Sequence, residues 1–209
     1  MRPLNEQLAA DLLEAGKKVF LEAGFRDASL RKIAAMLGVT TGAIYRYYTD
    51  KEALFDAIVS GPAEELVNRY RTSQQEYASI PLEEQLGGLG AVSENNSWMM
   101  DFIYDHFEEF KLIVCCSVGT RYEHYIDTLV EIEANSSLQL TEKMQKAGYQ
   151  LPPLSDELAH MISSGLFNCM FETIRHDMPK EKALEYTGSY QLFYTAGWMK
   201  ILGLQEGEK

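Results

Sequence analysis

The chain has 209 residues, with 19 basic and 31 acidic side chains and a formal net charge of −12 at pH 7. This balance argues against a protein whose whole surface binds nucleic acid or an anionic membrane, because both partners attract cations. The charge is uneven, however. Residues 1–51 carry eight basic and six acidic side chains, a net charge of +2, which leaves −14 for the remainder. One end of the chain is therefore electrostatically unlike the rest.

The other compositional features predict an ordinary globular protein in the cytoplasm. Hydrophobic residues make up 46% of the chain and charged residues 24%, which is typical of a folded protein. Met1 is not followed by the apolar core of a signal peptide, and the longest apolar stretch, about 112–118, is too short to span a bilayer. No membrane partner is therefore expected. Three cysteines, two of them adjacent, do not form a disulfide framework.

The first fifty residues predict three helices. Leu12 and Val19 recur on one face of a first helix, and Gly24 supplies its C-terminal stop. Ser29 and Thr40 are the expected N-caps of two short helices, the second of which runs to about residue 48.

Longer helices follow. Thr49 and Glu52 have the capping-box form at the start of a fourth helix, which we expect to be interrupted or kinked near Gly61 and Pro62. Further helices are predicted over about 94–118, 121–146 and 156–177, and from Pro179 onward. The predicted fold class is therefore all-α, with about nine helices. A three-helix domain would occupy residues 1–50 and a larger helical bundle residues 51–209.

Residues 30–48 combine a short helix, a glycine turn and a second short helix, which is the form of a helix-turn-helix. Gly38 stands where the turn needs a positive φ. With Ile33 and Ile44 buried, Tyr45 and Arg46 would point outward and offer donors to base edges and phosphates. A capped pair of helices also occurs in proteins that never contact DNA, so this pattern alone leaves a solvated surface equally open.

The residues within and beside the helix-turn-helix favour DNA binding over a solvated surface. Thr40–Tyr48 (TTGAIYRYY) and Asp50–Phe55 (DKEALF) closely resemble the TetR (tetracycline-repressor-like) family, as does the entry Ala23-Gly24-Phe25. The specific resemblance covers roughly residues 8–58. It implies a ligand-responsive transcriptional regulator, most commonly a repressor. Such a protein binds a palindromic operator in double-stranded DNA as a homodimer and is released by a small-molecule effector.

By position, the resemblance also implies DNA-binding roles for individual residues. Thr40, Tyr47 and Lys51 would hold phosphates. Thr41, Gly42, Tyr45 and Arg46 would face the major groove, and Arg31 and Lys32 would contact the DNA backbone or the groove edge. Arg46 is the best candidate for reading a base, because a guanidinium can bond guanine in two places. Arg2 is the only cation before the first helix, so a minor-groove arm is not expected.

The bundle is expected to supply the effector pocket and the dimer interface. The middle helices mix apolar and polar side chains, which suits a small, mostly apolar effector. The candidate effector-binding residues are Trp98, Met99, Phe102, His106, Phe110, Tyr122 and Tyr125. The resemblance implies dimerisation through the last two helices, where glycines and large aromatic residues recur on apolar faces. The candidate interface residues are Gly165, Cys169, Tyr190, Phe193 and Gly197.

Catalysis, a metal site and a cofactor are not predicted. Glu157 and His160 have the Glu-x-x-His spacing of di-iron bundles, but a second such motif is absent from the sequence. Neither a glycine-rich phosphate loop nor a nucleophile elbow is present. One alternative stays open, a helical small-molecule-binding or catalytic protein that has lost DNA binding.

Overall fold

The computed structural model describes residues 5–88 and 97–203, and this part of the chain is all-helical, as predicted. Within these ranges it forms ten helices and no strand. The helices are α1 (Glu6–Asp27), α2 (Leu30–Met36), α3 (Thr41–Ile44), α4 (Lys51–Ser79), α5 (Leu82–Gly88), α6 (Ser97–Asp105), α7 (Phe107–Cys116), α8 (Tyr125–Lys146), α9 (Asp156–Arg175) and α10 (Lys180–Ile201). No helix in the described ranges is long and apolar enough to cross a membrane.

The helices form two compact units. The first comprises Met1–Glu65 and His106–Tyr125, and the second comprises Leu66–Asp105 and Ile126–Lys209. The chain passes from the first unit to the second within α4. The first unit thus extends past residue 50 and takes in α7, while the functional boundary at residue 50 stays a prediction.

The core of the first unit is built on α1. Leu12 and Phe20 are fully buried. Gly24, the predicted stop, has a non-helical backbone with φ 72° and ψ 165°, so that α1 kinks there before it ends at Asp27. Beyond this stop, Phe25 returns to pack its ring 5.5 Å from that of Phe55, which itself lies 5.2 Å from Phe20. This aromatic cluster holds the start of α4 against the end of α1.

Helix α7 packs along α1 and is tied to it by charge. The Lys17 ammonium lies 3.3 Å from a carboxylate oxygen of Glu108 and 2.8 Å from one of Glu109. These partners raise the pKa of Lys17 although its partial burial opposes them. Since Lys17 is on α1 and both glutamates are on α7, the ion pairs hold α7 beside α1.

The second unit has its core between α8, α9 and α10. Phe167, Phe171 and Ile174 of α9 are almost wholly buried, as is Leu129 of α8. The Ser155 side chain caps α9 by accepting from the backbone N–H of Leu158 at 3.2 Å. Apolar side chains at helical spacing thus form the core of the second unit, as they form the core of the first.

Four local predictions need correction. Helix α3 ends at Ile44 rather than near residue 48, because residues 45–47 form a turn. Residues 97–116 form two helices rather than one, because His106 has a non-helical backbone, φ −122° and ψ 40°. Asp50, rather than Thr49, caps α4, since its carboxylate accepts from the N–H of Ala53 at 2.7 Å. The helix α4 also continues through Pro62 without interruption, and the alternative of a kink there stays a prediction.

Candidate nucleic-acid interface and ligand cavity

The helix-turn-helix is built by local capping. The Ser29 hydroxyl accepts from the N–H of Arg31 at 3.2 Å and begins α2. Gly38 has φ 64°, as the turn requires. The Thr40 hydroxyl accepts from the N–H of Ala43 at 3.2 Å and begins α3, so its own proton can still be donated outward. Each cap satisfies a backbone donor that the helix start leaves unpaired.

The outer face of α3, a term that here includes the turn over residues 45–47 directly after the helix, is open to solvent. Tyr45 is 56% exposed, Gly42 and Arg46 are also exposed, and Thr41 is half-buried. The Arg46 guanidinium has no hydrogen-bond or ion-pair partner within the described ranges. A Cβ placed on Gly42 would meet nothing nearer than the Thr40 hydroxyl oxygen, at 3.7 Å. The backbone of α3 is therefore accessible to a partner that approaches closely.

The two basic residues of α2 differ in their surroundings. Arg31 is exposed, and its guanidinium has no partner among the residues that the structure describes. The Lys32 ammonium, also exposed, forms an ion pair with Glu22 at 2.7 Å. Arg31 thus offers the freer positive charge beside α3. Arg2 lies outside the described residues.

Two of the predicted phosphate ligands are engaged within the protein. The Tyr47 hydroxyl accepts from the N–H of Asn5 at 2.9 Å and lies 3.3 Å from the carbonyl oxygen of the same residue. The Lys51 ammonium donates to the carbonyl oxygens of Phe25, Arg26 and Ala28, the latter two at 3.0 Å. Because these bonds use all three donors, a phosphate contact by Lys51 would have to displace one of them.

The second unit encloses a cavity of about 540 Å³, a size that suits a small-molecule ligand. Two of the candidate effector residues, Trp98 and Met99, line it. Further apolar walls come from Ile80, Leu140, Leu166, Phe167, Met170, Met199 and Leu202.

A polar cluster centred on Glu133 lies at the wall of this cavity. The Tyr70 hydroxyl donates to Oε2 of Glu133, which also accepts from Nε2 of Gln74 at 3.0 Å. The Tyr194 hydroxyl lies 3.2 Å from the other carboxylate oxygen, Oε1. The Ser136 hydroxyl in turn donates to Gln74 at 2.7 Å. Six of the described helices, α4, α5, α6, α8, α9 and α10, therefore contribute residues to one cavity.

The electrostatics of the cluster follow from its burial. Burial raises the pKa of Glu133 above its ordinary value, and the hydrogen bonds from Tyr70 and Tyr194 oppose this rise without cancelling it. Burial and the neighbouring carboxylate raise the pKa of both phenols, so the phenols stay protonated and act as donors.

The other candidate effector residues lie elsewhere. Phe110, Tyr122 and Tyr125 belong to the core of the first unit, where the Tyr122 hydroxyl bonds Asp56 at 2.7 Å and the Tyr125 hydroxyl bonds the carbonyl of Ala63 at 2.9 Å. Phe102 on α6 and His106 before α7 are half-buried and are not among the residues that line the cavity.

The candidate dimer residues fall into two groups. Gly165 is packed inside the unit, because a Cβ there would lie 3.0 Å from the Tyr190 hydroxyl oxygen, whereas a Cβ on Gly197 would meet nothing within 4 Å. Phe193 is 72% exposed. Cys169 is half-buried, and burial raises the pKa of its thiol. Gly165 and Tyr190 thus join α9 to α10, while Phe193 and Gly197 leave an open surface.

The sequence analysis missed the polar cluster of the cavity. Tyr70 and Gln74 are four residues apart on α4, and Glu133 is surrounded by Leu129, Val130 and Ala134 on the apolar face of α8. An acid on such a face is a usable signal, because a charge there needs partners. The described residues contain no cluster of three His, Cys, Asp or Glu side chains that could hold a metal ion.

Comparisons with known proteins agree with the geometry of the N-terminal segment. Residues 12–58 match the sequence profile of "Bacterial regulatory proteins, tetR family". Among curated relatives, the transcriptional repressor KstR2 of Rhodococcus jostii is 33% identical over 61 residues, 29% of this chain and 30% of the relative. The regulator UidR of Escherichia coli K12 is 33% identical over 60 residues, 29% of this chain and 31% of the relative. The matched part thus spans about a third of these relatives.

Solved structures extend the similarity of fold to most of the chain. The regulator FadR of Bacillus subtilis, in complex with stearoyl-CoA, has a TM-score of 0.57 at 16% identity, covering 90% of this chain and 98% of that one. A TetR-family regulator from Syntrophomonas wolfei has a TM-score of 0.55 at 19% identity, covering 93% of this chain and 97% of that one. The profile match and the curated relatives show that residues 12–58 of this chain are similar to the tetR family of bacterial regulatory proteins.

Proposed function

We propose that this protein is a transcriptional regulator that binds a palindromic operator as a homodimer and is released by a small-molecule effector. The observation that carries the proposal is the outer face of α3, where Gly42, Tyr45 and Arg46 are exposed in a tetR-family helix-turn-helix. A bare helix backbone beside an unpaired guanidinium suits insertion into a major groove. Thr41 would lie in the same groove, and Thr40, Tyr47, Arg31, Lys32 and Lys51 are the proposed backbone contacts.

Exposed apolar side chains on the last two long helices support a homodimer. Met161 on α9 is 69% exposed, and Leu192 and Phe193 on α10 are 68% and 72% exposed. Side chains of this kind are enriched at interfaces and depleted on free surfaces. In a two-fold dimer each of these side chains would be buried against the partner copy. The two copies of α3, which are the proposed recognition helices, would read two related half-sites.

The effector would occupy the cavity of the second unit, and α4 is the proposed route of coupling. This one helix begins at Lys51, directly after the helix-turn-helix, and also carries Tyr70, Gln74 and Tyr77 of the cavity wall. A ligand that favours one arrangement of α4 would change how well the recognition helices match the half-sites. Ligand and DNA affinities must then be coupled reciprocally, typically by about 1–3 kcal/mol.

The charge distribution supports DNA binding that depends on the fit of the protein to the groove more than on the overall electrostatic attraction between protein and DNA. Residues 1–51 carry a net charge of only +2, against −14 for the remainder. The acidic remainder would repel DNA, so contact is confined to a small face, and nonspecific affinity should be weak at physiological salt.

Selection of binding sites from random duplexes tests this function. The expected product is a palindromic sequence, and its affinity should fall steeply with salt. Arg46→Ala should weaken binding to the selected site by about 1–3 kcal/mol and relax the preference at one base position. Arg71→Ala, an exposed arginine on α4 outside the proposed interface, is the matched control.

Enrichment of no sequence would favour the alternative, a helical ligand-binding protein that has lost DNA binding. The cavity of the second unit supports this alternative, because a ligand could bind there whether or not the protein binds DNA.

A further inference from the structure

The cavity has an unusual charge pattern for its size. Three carboxylates line it, those of Glu76, Glu84 and Glu133. Among its described lining residues there is no lysine, arginine or histidine. Two cations lie behind the walls. The Arg69 guanidinium is 4.2 Å from the centre of the Trp98 ring, and the Lys143 ammonium donates to the carbonyl of Ile80 at 2.9 Å. Neither residue lines the cavity, so the charge that faces a ligand is negative.

Aromatic rings surround the same space. Tyr70, Tyr77, Trp98, Tyr194 and Trp198 all line the cavity. The faces of aromatic rings carry partial negative charge and attract a cation within about 6 Å. Aromatic walls together with a carboxylate are the combination that recognises alkylammonium groups, because the rings replace the water that such weakly hydrated cations lose.

Glu133 is prepared to act as the counter-charge. Its carboxylate accepts from two phenols and one amide, whereas a carboxylate has about four acceptor positions. The three donors thus leave about one of the four acceptor positions unused among the described residues. The donors that fix the carboxylate come from α4 and α10, so its position does not depend on a bound molecule. The other titratable groups around it are Tyr70, Tyr77 and Tyr194 in the walls and Glu76 and Glu84, which are more exposed.

We propose that the cavity selects a monovalent organic cation with an apolar body, such as an alkylammonium compound, and binds its positive nitrogen between the Glu133 carboxylate and the aromatic walls. This inference rests on the proposed function, since it specifies the chemical class of the effector. Fatty acids and other carboxylates are excluded from the same site, because a buried anion beside Glu133 would meet like charge and no compensating cation.

Intrinsic fluorescence provides a direct assay. The chain has two tryptophans, and both of them, Trp98 and Trp198, line the cavity. Three probes with the same alkyl chain would be titrated below their micelle concentrations: decyltrimethylammonium, decanoate and decyl alcohol. We expect a saturable change with the cation and an affinity for decanoate weaker by about tenfold or more, the effect of losing one charged contact in a partly buried site. Equal or tighter binding of decanoate, or no saturable change with the cation at millimolar concentration, would overturn the proposal.

Substitution identifies the residue responsible. Glu133→Gln keeps the size of the side chain and removes its charge. Its amide oxygen can accept from Tyr70 and Gln74, and its amide nitrogen can donate to the Tyr194 hydroxyl oxygen. The change should weaken binding of the cation by about tenfold while leaving decyl alcohol within about twofold. Glu131→Gln makes the same change of net charge on the exposed side of α8 and should alter none of the affinities. The proposal is wrong if the two variants bind the cation equally well.

A separate measurement keeps this inference distinct from the proposed function. Release of the selected operator by the cation would be followed by anisotropy of labelled duplex. Cation binding to the cavity without DNA release would refute the coupling between the two sites and leave the ligand class standing. Release of DNA by decanoate but not by the cation would refute the ligand class and leave the regulatory function standing.

Discussion

Replacing Lys51 by methionine removes an ammonium that closes the end of α1 and keeps most of the side chain's apolar stem. The ammonium donates to the carbonyls of Phe25, Arg26 and Ala28 and lies 4.5 Å from the centre of the Phe25 ring. Two of the hydrogen bonds are partly buried and one is exposed. At about 1 kcal/mol for each partly buried bond and about 0.5 kcal/mol for the ring contact, the free energy of unfolding should fall by about 2–3 kcal/mol.

Urea unfolding at a fixed protein concentration measures this loss, because stability depends on concentration if the protein dimerises. Lys18→Met makes the same change of charge at an exposed position of α1 and should cost less than about 0.5 kcal/mol. The proposed phosphate contact is tested separately, since Lys51→Met should weaken binding to all DNA sequences alike and reduce the salt slope by about one. An unchanged free energy of unfolding would show that our account of the three hydrogen bonds is wrong.

Three further substitutions separate packing from binding. Gly42→Ala should leave the free energy of unfolding unchanged or raise it by up to about 1 kcal/mol, since α3 has room for the methyl group. The same change should weaken operator binding in gel-shift titrations. Unaltered affinity would show that DNA does not approach the backbone of α3. Gly165→Ala should cost about 1 kcal/mol more in the wild-type background than in Tyr190→Phe, because the new Cβ would lie 3.0 Å from the hydroxyl oxygen; additive urea midpoints would contradict this. Phe193→Glu should leave the fold intact, since the ring is 72% exposed, but should weaken the dimer by about 2 kcal/mol or more in sedimentation equilibrium; an unchanged dimer would remove α10 from the interface.

The polar cluster around Glu133 shows why the cavity could not be predicted from the sequence and became visible only in the folded chain. Tyr70, Glu133 and Tyr194 are separated by about sixty residues at each step in sequence, and each sits on a helix whose periodicity predicts only that it is amphipathic. Without the packing of α4, α8 and α10, no sequence pattern says that two phenols and an acid converge. The expectation that Tyr122 and Tyr125 bind a ligand had the same weakness, because an aromatic side chain at helical spacing serves a core as well as a pocket.

Helix caps and turns could nevertheless be predicted from the sequence, because they depend on residues that are close together in the chain. Ser29 and Thr40 cap α2 and α3 as predicted, and Gly24 and Gly38 take the positive φ values that stops and turns require. Such interactions span three or four residues, so the sequence order fixes them almost completely. The choice between Thr49 and Asp50 as the cap of α4 was less certain, since either side chain can reach a free N–H of the first turn.

The amino-acid sequence alone determined that this chain is all-helical and that residues 30–48 have the form of a helix-turn-helix, within a segment that resembles a known family. Periodicity, capping and a contiguous motif are properties of short segments. It also located the contrast between a mildly positive N-terminus and an acidic remainder. The tertiary structure alone decided which charges are engaged and which are open, turning Lys51 inward and leaving Arg46 exposed. It likewise decided that Glu133 faces a cavity. These outcomes depend on contacts between residues far apart in the chain, which exist only once the helices have packed.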